Sequence, residues 1–210
     1  MPELDTTHLI ALAAALGWAS GMRLYAVILI TGLAGYAGWV PLPEGLKILQ
    51  NPIVLGVAGL MFLAEFFADK IPALDSVWDL VHTFIRIPAG AALAAGVFGG
   101  DSATWATVAA LMGGTLAATA HTAKATTRAA ANTSPEPFSN IGLSLLGDLA
   151  VPGLLWLAWE HPLWAFAALA VALVVAVVTT VLLFRFLRLL WRRLTRRPGA
   201  VPAEPQLISR

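Results

Sequence analysis

The chain has no cysteine among its 210 residues. That absence removes disulfides, thiolate nucleophiles, iron–sulfur clusters and cysteine zinc sites together. Charge is scarce as well: 13 Lys and Arg face 12 Asp and Glu, for a formal net charge of +1. The first residues, Met-Pro-Glu-Leu-Asp-Thr-Thr-His, lack the positive region of a signal peptide, so the first apolar segment is expected to be retained as a span. What the chain has instead is hydrophobic residues, 59% of the total before its 18 glycines are counted. Soluble domains average about 45–50% with glycine included.

A transmembrane helix needs roughly 20 mostly apolar residues. Six such segments can be read, near Leu9–Val40, Pro52–Ala68, Leu74–Phe98, Thr104–Ala131, Ile141–Trp159 and Leu163–Leu190. The expectation is an all-α polytopic membrane bundle with about six transmembrane helices. A single membrane domain covers 1–197, and 198–210 forms a disordered tail on the cytoplasmic side. Basic residues set the orientation. Seven lie in the tail from Arg185 onward, and Lys70, Arg86, Lys124 and Arg128 fall on the same side if there are six spans. Only Lys47 falls opposite, and Arg23 lies within the first span. Both termini are therefore expected in the cytoplasm, and the protein in the cell (inner) membrane. The basic tail is explained by that anchoring, so no nucleic-acid partner is expected.

The first segment is too long for one straight crossing, and a break near Gly21-Met22-Arg23 is expected. The fourth segment, rich in Ala, Gly and Thr around Gly113-Gly114, reads as the central helix, since small residues allow close approach in lipid. The sixth reads as a peripheral, lipid-facing helix.

Ionisable residues within these segments carry the functional signal. Each costs about 2.5–3.5 kcal/mol at the centre of a bilayer on insertion scales, so each needs a partner or a wet cavity. Helical spacing aligns Asp75, Asp79, His82 and Arg86 on one face of the third segment. The same rule aligns His121, Lys124, Arg128 and Asn132 on the fourth. Glu65 and Asp69 end the second segment, and Asn140, Ser144 and Asp148 begin the fifth. Five of six helices thus present polar faces that can meet around one centre open to the cytoplasm. Residues Asn132 to Asn140, with Pro135 and Pro137, suggest an irregular or re-entrant turn capping that centre.

Several chemistries can be weighed against charge pairing. Asp75, Asp79 and His82 are metal-ligand types on one face, but nearby cations compete for the carboxylates, so no metal and no cofactor are expected. Ser134 and Ser139 lack the frame of a nucleophilic serine, and a turn or cap role fits them better. An anion site is a stronger reading. Arg86, His121, Lys124, Arg128, Asn132 and Asn140 are the candidates to bind it. Arg23, Glu65, Asp69, Asp75, Asp79, His82 and Asp148 would balance charge or couple protons.

Two stretches carry a family resemblance. They are Phe66-Phe67-Ala68-Asp69-Lys70-Ile71-Pro72 continuing through Asp75, Trp78-Asp79, Val81-His82-Thr83-Phe84-Ile85-Arg86 and Pro88-Ala89-Gly90, and Lys124-Ala125, Arg128 and Asn132 to Asn140. These resemble the bacterial DUF4126 membrane proteins over nearly the whole chain. The resemblance implies a small multi-span bacterial membrane protein and assigns no activity.

Three functions follow in order of preference. The first is a transporter or translocase for a small anionic or phosphate-bearing solute or a phospholipid headgroup, with membrane lipids as partners. The second is a structural or assembly protein with an ion-paired core. The third is a membrane-embedded metal-dependent enzyme acting on a lipid-linked phosphate.

Overall fold

The computed structural model describes residues 4–71, 74–99, 102–133 and 138–195, with the backbone alone for 140, 194 and 195. Among the described residues six α-helices follow one another: α1 (Thr6–Tyr36), α2 (Pro52–Ala68), α3 (Leu74–Gly96), α4 (Ala103–Ala131), α5 (Phe138–Glu160) and α6 (Pro162–Thr195). A 3-10 helix, Glu44–Gln50, precedes α2, and no strand occurs among the described residues. Each expected apolar segment coincides with a helix. The expected cap at 134–137 and the tail from 196 onward lie outside the described residues.

Local sequence explains the boundaries. Asp5 caps α1 by accepting from the His8 backbone N–H, and Asn51 caps α2 by accepting from that of Ile53, with Pro52 following it. Ser102 caps α4 through the Trp105 N–H. Within α1, Arg23 leaves the helical region at φ −147° and ψ 78°, the break expected near Gly21-Met22-Arg23.

Four helical stretches are long and apolar enough to cross a membrane: Thr6–Tyr36, Ala103–Ala131, Ile141–Glu160 and Pro162–Arg193. The 3-10 helix and α2 qualify only as a pair bent by 70°, which makes up to five. α3 is outside this set, because Asp75, Asp79 and Arg86 interrupt its apolar character. Its 23 residues nonetheless span about 35 Å.

α3 is also inside out. Asp75, Asp79, His82 and Arg86 are buried, while Val77, Leu80, Val81 and Phe84 are exposed. A water-soluble helix turns its apolar stripe inward. The reversed arrangement suits a hydrocarbon surround.

The centre of the bundle is α1, not α4. The most apolar part of α1 is 72% buried, against 22% for α4. Apart from Arg23, α1 is apolar on nearly every face and rich in small residues, as in the run Ala11 to Leu16, and such a helix belongs in the middle. α4 presents small residues to α1 and α3, but on its outer side Thr107 and Thr115 return their hydroxyls to the carbonyls of Ala103 and Leu111. α6 is peripheral as expected, with 11% of its apolar stretch buried.

Contact among α1, α3 and α4 is backbone to backbone. A Cβ placed on Gly17 would lie 2.5 Å from the Gly113 Cα, and one on Gly90 would lie 2.6 Å from the Ala117 Cβ. A Cβ on Gly21 would strike the Ala117 carbonyl. Only glycine permits this approach.

Candidate functional site

The charged residues gather where α2 ends, α3 begins, α4 ends and α5 begins, around the break in α1. Spacing along each helix puts the side chains on one face. Packing then joins the faces into one network of five cations and five carboxylates: Arg23, Lys70, Arg86, Lys124 and Arg128 with Glu65, Asp69, Asp75, Asp79 and Asp148. The formal charges balance.

Asp69 is the hub. Its Oδ2 lies 2.8 Å from Arg23 Nη1, 3.0 Å from Lys124 Nζ and 3.0 Å from Arg128 Nη2, and the residue has no exposed surface. Asp79 is the second junction, 2.8 Å from Arg86, 3.3 Å from Lys124 and 3.8 Å from Arg128. Contact between the acidic and basic stripes, expected from helical spacing, is thus present. Arg86 is enclosed between Glu65 at 2.6 Å and Asp79. Asp75 pairs with Arg128 at 3.5 Å and accepts from the Asn132 amide at 3.1 Å. Asp148 reaches Arg23 at 3.0 Å and Lys70 at 3.5 Å.

The break in α1 has a local use. It frees backbone carbonyls, and Lys124 Nζ donates to the Met22 carbonyl at 3.1 Å. Ser144 joins the network by accepting from Arg23 Nη2 at 2.7 Å and from Lys70 Nζ at 3.1 Å.

The two histidines lie at the edge of the network as hydrogen-bonded groups. His82 Nδ1 sits 2.8 Å from the Trp78 carbonyl, so that nitrogen carries the proton, and Nε2 accepts from Tyr25 Oη at 3.1 Å. The His82 ring also stacks on Trp78, with centroids 4.1 Å apart. His121 Nε2 lies 2.7 Å from Thr83 Oγ1, and its Nδ1 lies 3.2 Å from Arg86 Nη1.

One side of the network is open. A cavity of about 380 Å³ lies among α1, α4, α5 and α6. Arg23, Lys124 and Arg128 are on its wall, with Thr127 and Thr179, and every other lining residue is apolar. No carboxylate lines it among the described residues. A second cavity of about 300 Å³ shares Trp18, Met22, Ala150 and Ala172 with the first and is lined without a charge.

Of the residues singled out as anion contacts, Lys124 and Arg128 face this cavity. Arg86, His121 and Asn132 are held among Glu65, Asp79, Thr83 and Asp75 instead. Asn140 belongs to the backbone of α5, and its side chain lies outside the described residues. Sequence reasoning placed Arg23 with the charge-balancing groups, yet it shares the cavity wall. Its anion-binding and charge-balancing residues left out Lys70, Ser144 and Tyr25, although Ser144 had been placed on the polar face of the fifth segment. Ser144 lay in the fourfold spacing with Asp148, which was the signal for it, whereas Tyr25 gave none. Among the described residues no three His, Asp or Glu side chains converge as metal ligands would.

Residues 10–181 match the family described as Domain of unknown function (DUF4126). The chain belongs to that family. The match takes in every residue of the network and both cavities. No curated protein and no solved structure matches the chain.

Proposed function

We propose that this DUF4126 protein is a transporter-like membrane protein that takes up a small anionic or phosphate-bearing solute or lipid headgroup at Arg23, Lys124 and Arg128. One observation carries the reading: Arg23, Lys124 and Arg128, all paired with Asp69 behind them, reach the wall of a cavity that no carboxylate lines among the described residues. Cations and carboxylates share the network, so a phosphate or carboxylate ligand can take over hydrogen bonds now made by Asp69. A buried ionisable cluster in a membrane bundle is by default a functional site.

The reading includes six crossings, with α3 as the polar one, in the inner membrane. Both termini then lie in the cytoplasm, and the network sits toward that face. The distribution of Lys and Arg supports this, since all but Lys47 and Arg23 fall on one side. A membrane domain over 1–197 and a cytoplasmic tail over 198–210 belong to the same proposal.

The test uses purified protein in an uncharged detergent. Inorganic phosphate and glycerol 3-phosphate are compared with potassium chloride at equal ionic strength. The expected result is a rise in melting temperature with the phosphates that Lys124→Gln and Arg128→Gln abolish. Proteoliposomes should then take up labelled phosphate faster than empty liposomes.

The pairing of all five network carboxylates supports a second reading, in which the network only specifies helix packing. In that case Asp79→Asn and Arg128→Gln each lose much stability, the double variant recovers part of it, and no anion changes either.

A further inference from the structure

The two cavities adjoin, sharing Trp18, Met22, Ala150 and Ala172, and together outline a slot with the cations at one end and no charge at the other. Their walls on α5 run from Leu143 to Leu157, about 21 Å of helix at 1.5 Å per residue. That exceeds half of a hydrocarbon core about 30 Å thick, the depth that one acyl chain occupies. Val151, Leu154, Leu157 and Ala168, which line the second cavity and not the first, carry the slot away from the cations. The mouth opens sideways: Leu146 on α5 and Val175 on α6 are 65% and 56% exposed. Those helices carry hydrocarbon-facing residues along their length, such as Leu149, Val171 and Val174.

A free hydrophilic anion would need a hydrated chamber, and these walls are almost wholly apolar. We infer that the ligand is an anionic amphiphile: an acidic headgroup held by Arg23, Lys124 and Arg128, with one alkyl chain lying in the slot between α1, α5 and α6 and entering from the bilayer. This rests on the anion-binding reading above and narrows its substrate class. Either a free single-chain acid or one chain of a two-chain phospholipid fits that chemistry.

The experiment places the full-length protein in nanodiscs of zwitterionic phosphatidylcholine and follows its melting temperature. The probes are inorganic phosphate, decyl phosphate and decanol, and a separate set of discs contains phosphatidic acid. Partition into the disc concentrates decyl phosphate around any protein, so wild type is compared with Ala172→Phe. Ala172 lines both cavities from α6, a helix that contributes no residue to the charge network.

The expected result is half-maximal stabilisation by decyl phosphate at a concentration at least tenfold below that of inorganic phosphate, with no response to decanol. Ala172→Phe should keep the phosphate response and lose the tenfold preference. A response to phosphatidic acid discs would assign the ligand to a membrane lipid, and a response to decyl phosphate alone would assign it to a free single-chain acid. Both outcomes support the inference. An unchanged preference in Ala172→Phe, or an equal response to decanol, overturns it. Equal potency of phosphate and decyl phosphate overturns it while leaving the anion reading intact. No response to any probe overturns both.

Discussion

The two sides of the charge network are built differently. Toward α3 and α4, α1 packs backbone against backbone through Gly17, Gly21, Gly90 and Gly113. Toward α5 and α6, the same helix leaves cavities of about 380 and 300 Å³. A Cβ added at Gly147, on the open side, would meet Arg23 Nε at 3.6 Å, an ordinary contact. Lipid supplies no hydrophobic drive between helices, so close van der Waals packing must hold a membrane bundle together. The closed side has that packing throughout, whereas on the open side Leu155 and Ala158 of α5 are buried with α1 but the cavities interrupt the contact. The closed side therefore fixes Asp69, Asp79 and their partners, and the open side is available to a ligand.

The largest expected effect comes from removing the charge that spans both sides. Asp69→Asn leaves Arg23, Lys124 and Arg128 short of their shared partner. Breaking a buried pair in this way costs about 3–5 kcal/mol. Thermal unfolding in detergent should show the loss, and inorganic phosphate should restore more stability to this variant than it adds to wild type. If phosphate gives no such recovery, the open side does not receive anions.

Overpacking the closed side ranks next. Gly113→Ala puts a methyl against the Ala94 Cβ and the Gly90 carbonyl, and forced contacts of this kind cost about 1–3 kcal/mol. The matching change on the open side, Gly147→Ala, should stay within about 0.5 kcal/mol of wild type, as substitutions away from packed features do. Equal losses for the two variants would erase the contrast.

The smallest effect belongs to a residue on neither side. Asp5 caps α1, and the His8 backbone N–H holds its carboxyl below the ordinary carboxylate value. A depressed pKa gives stability that is present above the unfolded-state value, about 3.9, and is lost as pH falls through the folded-state value. Asp5→Ala should therefore melt slightly lower than wild type at pH 7, and the difference should close in acid. A difference that persists at the lowest pH would mean that the carboxylate is not what caps the helix.

Much of this arrangement was legible in the sequence, because it follows helical periodicity. Asp75, Asp79, His82 and Arg86 on one helix and His121, Lys124 and Arg128 on another lie at helical spacing and are buried where the rule put them, while Asn132, the end of the second stripe, is half-buried. The break at Arg23 was legible from the length of the segment and its glycines. The central role of α1 was not read correctly. Gly113 and Gly114 drew attention to α4, whereas burial depends on having no polar face at all, and α1 satisfies that everywhere except at Arg23. The cavity was not legible, because it arises from how α5 and α6 stand off from α1. No periodicity within one helix encodes that distance. For the same reason Arg23 could be recognised as a buried charge but not as a wall of the cavity.

The central claim is that Arg23, Lys124 and Arg128 hold an anion at the end of an apolar slot. Native mass spectrometry of the protein extracted from membranes in an uncharged detergent tests it most directly. The account predicts an added mass on wild type that yields an acidic amphiphile on dissociation, and its absence from Ala172→Phe and Arg128→Gln. Wild-type protein that emerges bare, and stays bare after incubation with decyl phosphate, would contradict it.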